Sequence, residues 1–143
     1  MPEAASARGL IDTSVVIDLD HVISDELPAE IAIAAVTLAE LAAGPHATAD
    51  PTERARRQQR LQLAEATFDA IPFDATAARA YGRVYAEILA TGRKTRGRRA
   101  VDLLIAATAV GAGLPLYTRN PTDFDGLSAI LDVRPVTAGA TTL

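Results

Sequence analysis

Residues 100–112 decide the fold, and they read Ala100-Val101-Asp102-Leu103-Leu104-Ile105-Ala106-Ala107-Thr108-Ala109-Val110-Gly111-Ala112. Asp102 and Thr108 are the polar exceptions in a segment that is otherwise apolar on almost every helical face. This pattern is typical of a helix buried in a core, because a surface helix carries one polar face. The apolar run 114–118 follows at once and predicts a buried strand. The segment therefore predicts a core helix packed on a sheet.

Short apolar runs and amphipathic segments alternate through the rest of the chain. The apolar runs predict further strands at 9–12, 31–36, 71–73 and, as the last of four to five strands, 131–133. The segments between them predict helices at 15–19, 37–43, 50–69 and 74–89. Strands that alternate with helices form α/β folds, so we expect a mostly parallel central sheet.

Length and composition indicate the class of protein. The chain has 143 residues, of which 49% are hydrophobic and 22% are charged, and these values are typical of one folded domain rather than a disordered chain. We expect a single domain over 1–143, with its core at about 8–136 and loose tails at 1–7 and 138–143. No apolar run reaches the roughly 18–20 residues of a membrane span, and no basic, apolar leader is visible. The expected location is therefore the cytoplasm, without membrane contact.

The scarcity of cysteine and histidine limits the chemistry. The sequence has no cysteine and two histidines, which excludes disulfides, thiolate metal sites and cysteine nucleophiles and argues against a histidine-rich metal site. A metal ion would have to be a hard cation bound by oxygen. Charge is also uneven, because residues 1–50 carry nine acids and one base while residues 51–143 carry nine acids and thirteen bases. This division indicates an acidic centre beside a basic surface.

Acidic residues stand where the predicted strands end. Asp12 ends the first strand, Glu40 lies one turn after the second, and Asn120 and Asp123 follow the fourth. Asp102 opens the core helix, and the working crevice of an open α/β sheet lies beyond the carboxyl ends of its strands. Two carboxylates about 4 Å apart repel by about 4 kcal/mol at an effective dielectric near 20, so a converging cluster needs protons or a cation. Oxygen ligands favour Mg²⁺ or Mn²⁺, and such ions serve phosphodiester chemistry.

Each of these residues also has a purely structural explanation. Glu40 completes a capping box with Thr37, and Asp102 is favoured by the dipole of a helix start. Asp12 and Asp123 can orient or cap turns, and Asn120 fits a solvated loop. The basic residues near the core helix have two interpretations as well: Arg96, Arg98 and Arg99 either bind the phosphates of RNA or belong to a solvated loop.

Four segments taken in order resemble the PIN-domain ribonucleases, and more narrowly the VapC toxins of bacterial toxin–antitoxin systems. Any one of these motifs is weak evidence, whereas four in this order and spacing are specific. The resemblance covers roughly 8–136, and the segments that carry it are Leu10-Ile11-Asp12-Thr13-Ser14, Thr37-Leu38-Ala39-Glu40-Leu41, Arg98–Thr108 and Tyr117-Thr118-Arg119-Asn120-Pro121-Thr122-Asp123-Phe124.

The resemblance implies a three-layer α/β/α domain and an endoribonuclease that depends on Mg²⁺ or Mn²⁺. Asp12, Glu40, Asp102 and Asp123 match the family's acidic residues, which serve as catalytic and metal-binding groups. Asn120 stands where many members carry a further acid, so it keeps an oxygen ligand but removes a charge. Supporting polar residues of the implied site are Thr13, Ser14, Thr118 and Asn120.

The resemblance also implies partners: an RNA substrate, a cognate VapB-like antitoxin, a homodimer and a larger toxin–antitoxin complex. An alternative is a PIN-like module that binds RNA or protein without cutting it. A further alternative, a phosphatase with an aspartyl nucleophile, requires a second aspartate where this chain has Ser14.

Overall fold

A parallel sheet of five strands, in the order β3-β2-β1-β4-β5, forms the middle layer of the molecule. The computed structural model describes residues 7–139. Strand β1 occupies the centre and pairs in parallel with β2 on one side and β4 on the other. The strands are β1 (Arg8–Ile11), β2 (Glu30–Ala34), β3 (Asp69–Ile71), β4 (Leu116–Thr118) and β5 (Val133–Pro135). The predicted α/β class with a parallel sheet is confirmed.

Helices cover both faces of this sheet. They are α1 (Thr13–Ile17), α2 (Ala35–Ala43), α3 (Pro51–Thr67), α4 (Ala75–Ala90) and α5 (Arg98–Ala112). Leu10 of β1 packs into a core cluster with α4 and α5, whereas the next residue, Ile11, packs into a second cluster with α1, α2 and α3. Both side chains are fully buried, because successive residues of a strand point to opposite faces. The result is the three-layer α/β/α arrangement.

Most of the predicted element boundaries are wrong by one or two residues, for local reasons. The second strand ends at Ala34 rather than at 36, and α2 begins directly after it. The third strand covers Asp69–Ile71 rather than 71–73, because Pro72 has no N–H for a ladder hydrogen bond. The first helix begins at Thr13 rather than at 15, since Asp12, and neither Thr13 nor Ser14, caps it.

Similar shifts affect the other elements. The first strand is Arg8–Ile11 instead of 9–12, the fourth begins at Leu116 instead of 114, and the fifth covers Val133–Pro135 instead of 131–133. The core helix begins at Arg98, two residues before the predicted start. This earlier start bears on the interpretation of Asp102, because it moves that residue out of the first turn.

The last described residues are held against the fold. Ala138 forms an antiparallel bridge with Val22, and the Gly139 amide donates to the His21 carbonyl at 2.7 Å. The expectation of a loose segment is therefore wrong at 138–139, and its remaining residues, like 1–6, lie outside the described range. Within residues 7–139, none of the helices combines the length and apolarity that crossing a bilayer requires. The cytoplasmic location stays a prediction.

Two glycines provide a matched test of how closely α4 and α5 pack. A Cβ on Gly111 of α5 would lie 3.1 Å from the Ala77 Cα and 3.2 Å from the Ala77 nitrogen, whereas a Cβ on Gly82 of α4 would meet no atom within 4 Å. We expect Gly82→Ala to stabilise the fold by about 0.5–1 kcal/mol, because alanine is the better helix former. Gly111→Ala gains the same propensity but forces two backbones apart, and we expect a net loss of about 1–2 kcal/mol.

Urea unfolding of the two variants beside the unsubstituted chain measures both free energies. Equal stabilisation by both substitutions would contradict the close approach of α5 to α4.

Candidate active site

Asp12 lies at the carboxyl end of the central strand, where β1 turns into α1. Its side chain is only 5% exposed, and its backbone amide donates to the Tyr117 carbonyl of β4 at 3.0 Å. The carboxylate accepts from the Val15 amide at 3.2 Å, which makes Asp12 the N-cap of α1. The structural role considered for Asp12 is therefore present, and it fixes the carboxylate at the edge of the sheet.

Two hydroxyl groups complete the surroundings of Asp12. Thr118, the last residue of β4, donates to one carboxylate oxygen at 2.5 Å, and Ser14 donates to the other at 2.5 Å. Each hydroxyl also accepts a backbone amide, Thr118 from Asn120 at 3.0 Å and Ser14 from Arg119 at 3.1 Å. The amides occupy acceptor positions on the two hydroxyl oxygens, and the single proton of each hydroxyl is donated to Asp12. Burial raises the pKa of Asp12, and the hydrogen bonds from Ser14, Thr118 and Val15 oppose that rise.

Glu40 reaches the site from α2 through a pair of threonines. The Thr13 hydroxyl hydrogen-bonds the Glu40 carboxylate and shares a 3.0 Å hydrogen bond with the hydroxyl of Thr37. The alternative of a capping box is wrong, because the N-cap of α2 is Ala34 and Thr37 lies inside the helix. Sequence reasoning considered Thr37 only as a cap, yet its fully buried side chain supports the contact between Thr13 and Glu40. The sequence could have indicated this role, because Thr37 lies three residues before Glu40 and residues at that spacing are neighbours on one face of a helix.

Asp102 lies within the electrostatic field of the other acidic residues. Its pKa is raised to about 6, first by burial and then by the charges of Asp123 and Asp12, with a smaller contribution from Glu40 and an opposing one from Arg99. Asp102 is the fifth residue of α5, and the first turn of that helix holds no acid. A helix dipole favours acids chiefly in the first turn, so the dipole explanation for Asp102 is weakened. The other three carboxylates are therefore near enough for their charges to oppose the ionisation of Asp102.

Asp123 is positioned by the 3₁₀ helix Pro121–Phe124 that follows β4. The Arg99 guanidinium donates to the backbone carbonyl of Asp123, which ties the start of α5 to this 3₁₀ helix. Asn120 is the N-cap residue but makes no capping hydrogen bond with its side chain. Its exposed side chain agrees with the solvated-loop interpretation and leaves the amide oxygen accessible.

The predicted basic residues differ in their surroundings. Arg96 is exposed in the segment between α4 and α5, whereas Arg99 is half-buried beside Asp102 and Asp123. The side chain of Arg98 lies outside the described part of the structure. Arg99 therefore helps to position Asp123 through its backbone carbonyl and also places a positive charge near Asp102.

The donor chemistry of this cluster fits a hard divalent cation. Its side chains offer carboxylate, hydroxyl and amide oxygens, which Mg²⁺ and Mn²⁺ prefer. Within residues 7–139, no three acidic or imidazole side chains are close enough to hold one ion directly. Mg²⁺ usually takes one or two protein carboxylates and keeps several waters, so direct ligation by one or two of these acids, with the others acting through water, satisfies it.

Comparison with known proteins places the chain in a family. The model of the PIN domain family matches residues 9–128, a range that contains Asp12, Glu40, Asp102 and Asp123. Ribonuclease VapC5 of Mycobacterium tuberculosis is 35% identical over 133 residues, which cover 89% of this chain and 93% of the relative. Ribonuclease VapC8 of the same organism is 37% identical over 111 residues, covering 76% of this chain and 96% of the relative.

A solved structure agrees with these relatives. The crystal structure described as VapBC-5, a member of the VapBC family of toxin–antitoxin systems from Mycobacterium tuberculosis, superposes with a TM-score of 0.76 at 32% identity and covers 90% of this chain and 98% of that chain. The fold, the order of the motifs and the sequence similarity therefore agree, and the chain belongs to the PIN domain family, in which its relatives are VapC ribonucleases.

Proposed function

We propose that the chain is a VapC-type toxin: a metal-dependent endoribonuclease that hydrolyses RNA phosphodiester bonds. The observation that carries the proposal is that the half-buried Asp102 lies within the field of Asp123, Asp12 and Glu40, so that burial first and then their charges raise its pKa to about 6. A fold gains no stability from such repulsion, so the cluster is explained by a cation that binds there. Two relatives named as ribonucleases, each at least 35% identical, support RNA as the substrate.

Asp12 and Asp102 are the proposed direct ligands of Mg²⁺ or Mn²⁺, with Glu40, Asp123 and Asn120 contributing directly or through water. The bound ion would polarise the phosphodiester and lower the pKa of a bound water, which makes that water a nucleophile near neutral pH. Asp12 is held in one orientation by Ser14 and Thr118. Fixed orientation matters because a ligand that must reorganise loses part of its affinity for the ion.

The remaining polar residues have positioning and binding roles in this proposal. Thr13 orients Glu40 through its hydrogen bond to that carboxylate. Arg96, Arg98 and Arg99 bind the phosphates of RNA. Arg99 can do so while it holds the Asp123 carbonyl, because a guanidinium has five N–H donors.

The proposal includes partners. A free ribonuclease of broad action damages its host, and a structural neighbour is described as a member of the VapBC toxin–antitoxin family. We therefore include a VapB-like antitoxin that neutralises this chain, a homodimer of the chain and a larger toxin–antitoxin complex. A basic side chain of the antitoxin, best an arginine, would pair with the acidic cluster and compete with the metal ion for it.

Metal removal tests the catalytic part of the proposal. We expect EDTA to abolish cleavage of single-stranded RNA and a molar excess of Mg²⁺ or Mn²⁺ over EDTA to restore it, because the proposed mechanism needs a divalent ion to activate water and Arg99 offsets only part of the negative charge of the cluster. Gel analysis of a labelled RNA measures both effects, and Ca²⁺ at the same excess serves as the control for ionic strength. Cleavage that continues in EDTA would contradict a metal mechanism, whereas RNA binding without cleavage under every condition would favour the non-cutting module.

Asp102→Asn separates catalysis from stability. We expect cleavage to fall by about 100-fold or more, because the amide replaces a charged ligand. In EDTA at pH about 7.5 the variant should be more stable by about 1 kcal/mol, a value discounted for the partial exposure of Asp102, which corresponds to a Tm higher by about 3 °C.

The pH dependence of this gain follows from the raised pKa. Between the unfolded pKa and about 6 the folded protein holds more protons than the unfolded chain, so the stability contributed by Asp102 falls as pH rises through that window. The advantage of Asp102→Asn should therefore shrink as pH is lowered to about 4.5. Glu65→Gln, which removes an exposed charge from α3, is the matched control. A melt lowered by many degrees at neutral pH would show that Asp102 is a structural residue.

A further inference from the structure

A groove outside the acidic cluster lies between the C-terminal half of α4 and the segment that leads to α5. Its volume is about 590 Å³, and its apolar side is formed by Tyr85 and Leu89. These two residues lie one turn apart on α4, and their exposed fractions are 37% and 55%. Exposing large apolar side chains to water is unfavourable, so a groove wall that exposes both Tyr85 and Leu89 indicates a surface suited to a ligand.

The Tyr85 ring is supported on one side and accessible on the other. Tyr81 lies one turn earlier, partly buried against the core, and the two ring centroids are 6.0 Å apart with an interplanar angle of 48°. This tilted contact restricts the Tyr85 ring before any ligand arrives. A ring that is already restricted loses little conformational entropy on binding a flat partner.

The other side of the groove is positively charged. Arg93, Lys94 and Arg96 line it, and no acidic residue is among its lining residues. Neither Lys94 nor Arg96 forms an ion pair with any residue in the range 7–139. The whole chain carries a formal charge of −4, so a positive wall on an acidic protein is a local feature and indicates an anionic ligand.

The groove is joined to the acidic cluster by backbone contacts. The Arg93 guanidinium donates to the carbonyls of Thr122, at 2.9 Å, and Asp125, at 3.3 Å, and these residues flank Asp123 closely in sequence. At its other end, Gly97 lines the groove and is the N-cap of α5, the helix that carries Asp102. A chain bound in the groove is therefore attached to the same two elements that position Asp102 and Asp123.

We propose that this groove binds a single-stranded segment of the RNA substrate, with a base stacked on Tyr85 and beside Leu89 and with phosphates at Lys94 and Arg96. The inference rests on the proposed function for the choice of RNA. An aromatic face beside free cations suits a strand of alternating bases and phosphates, whereas an acidic peptide would use the cations alone. A duplex keeps its bases stacked inside, so single-stranded RNA should be preferred.

The test measures binding separately from cleavage. The full chain in EDTA is titrated into a fluorescein-labelled single-stranded RNA of mixed sequence and about 12 nucleotides, and fluorescence anisotropy gives the Kd. We expect Tyr85→Leu to raise the Kd about tenfold, because one base loses its stacking partner, while Tyr85→Phe keeps the ring and stays within about twofold. Lys94→Ala with Arg96→Ala should weaken binding and reduce the slope of log affinity against log salt by about 1.4, or 0.7 for each phosphate.

Arg83→Ala is the matched control, because it removes an exposed positive charge from α4 two positions from Tyr85, on the opposite side of the helix. It should leave the Kd within about twofold. The proposal is overturned if Tyr85→Leu binds RNA as tightly as the unsubstituted chain, or if a polyglutamate peptide competes as well as the RNA. Cleavage of RNA by the unsubstituted chain with Mg²⁺ is measured in parallel, so that a failure of the proposed ribonuclease is distinguished from a failure of the groove.

Discussion

The buried carboxylate of Asp12 is the interaction on which the rest of the site depends. The Asp12 carboxylate accepts a hydrogen bond from the Val15 amide and so caps α1. It also accepts hydrogen bonds from the Ser14 hydroxyl of that helix and from the Thr118 hydroxyl at the end of β4. A buried carboxylate without such donors would be strongly destabilising, because desolvation of a charge costs several kcal/mol. The three donors offset that cost and join β1 to β4 at one point. The crevice beyond the two strands takes its shape from this point.

Charge repulsion in the crevice is a constraint that the fold has to accommodate. Asp102 lies near Asp12 and Asp123, and its pKa rises to about 6 as a result of burial and of their charges. Arg99 offsets part of the repulsion and also holds the carbonyl of Asp123. The large apolar core around α5 supplies the stability that this arrangement requires. Functional sites commonly hold groups that destabilise the fold, and the apolar core supplies the compensating stability.

The sequence predicted most of the fold because each element carries its own pattern. The segment 100–112 has too few polar positions to lie on a surface, and the other apolar runs are short and alternate with amphipathic segments, which favours strands. The boundaries were less predictable, since they depend on single hydrogen bonds. Asp12 caps α1 and so moves its start to Thr13, and α5 begins before its apolar segment does, at Arg98. The hydrophobic periodicity of a sequence does not show where a helix begins, because the start depends on local capping contacts.

By itself, the sequence determined the α/β class, excluded thiolate chemistry and predicted four acidic residues for the site. These depend on residue types and on their order along the chain. The tertiary structure alone decided the contacts: that Glu40 meets Thr13 instead of capping α2, that Arg99 holds Asp123, and that Tyr85, Leu89 and the segment 93–97 form one groove. The physical reason is distance in sequence. Thr118 and Asp12 are 106 positions apart, and only the parallel pairing of β1 with β4 brings them within a hydrogen bond.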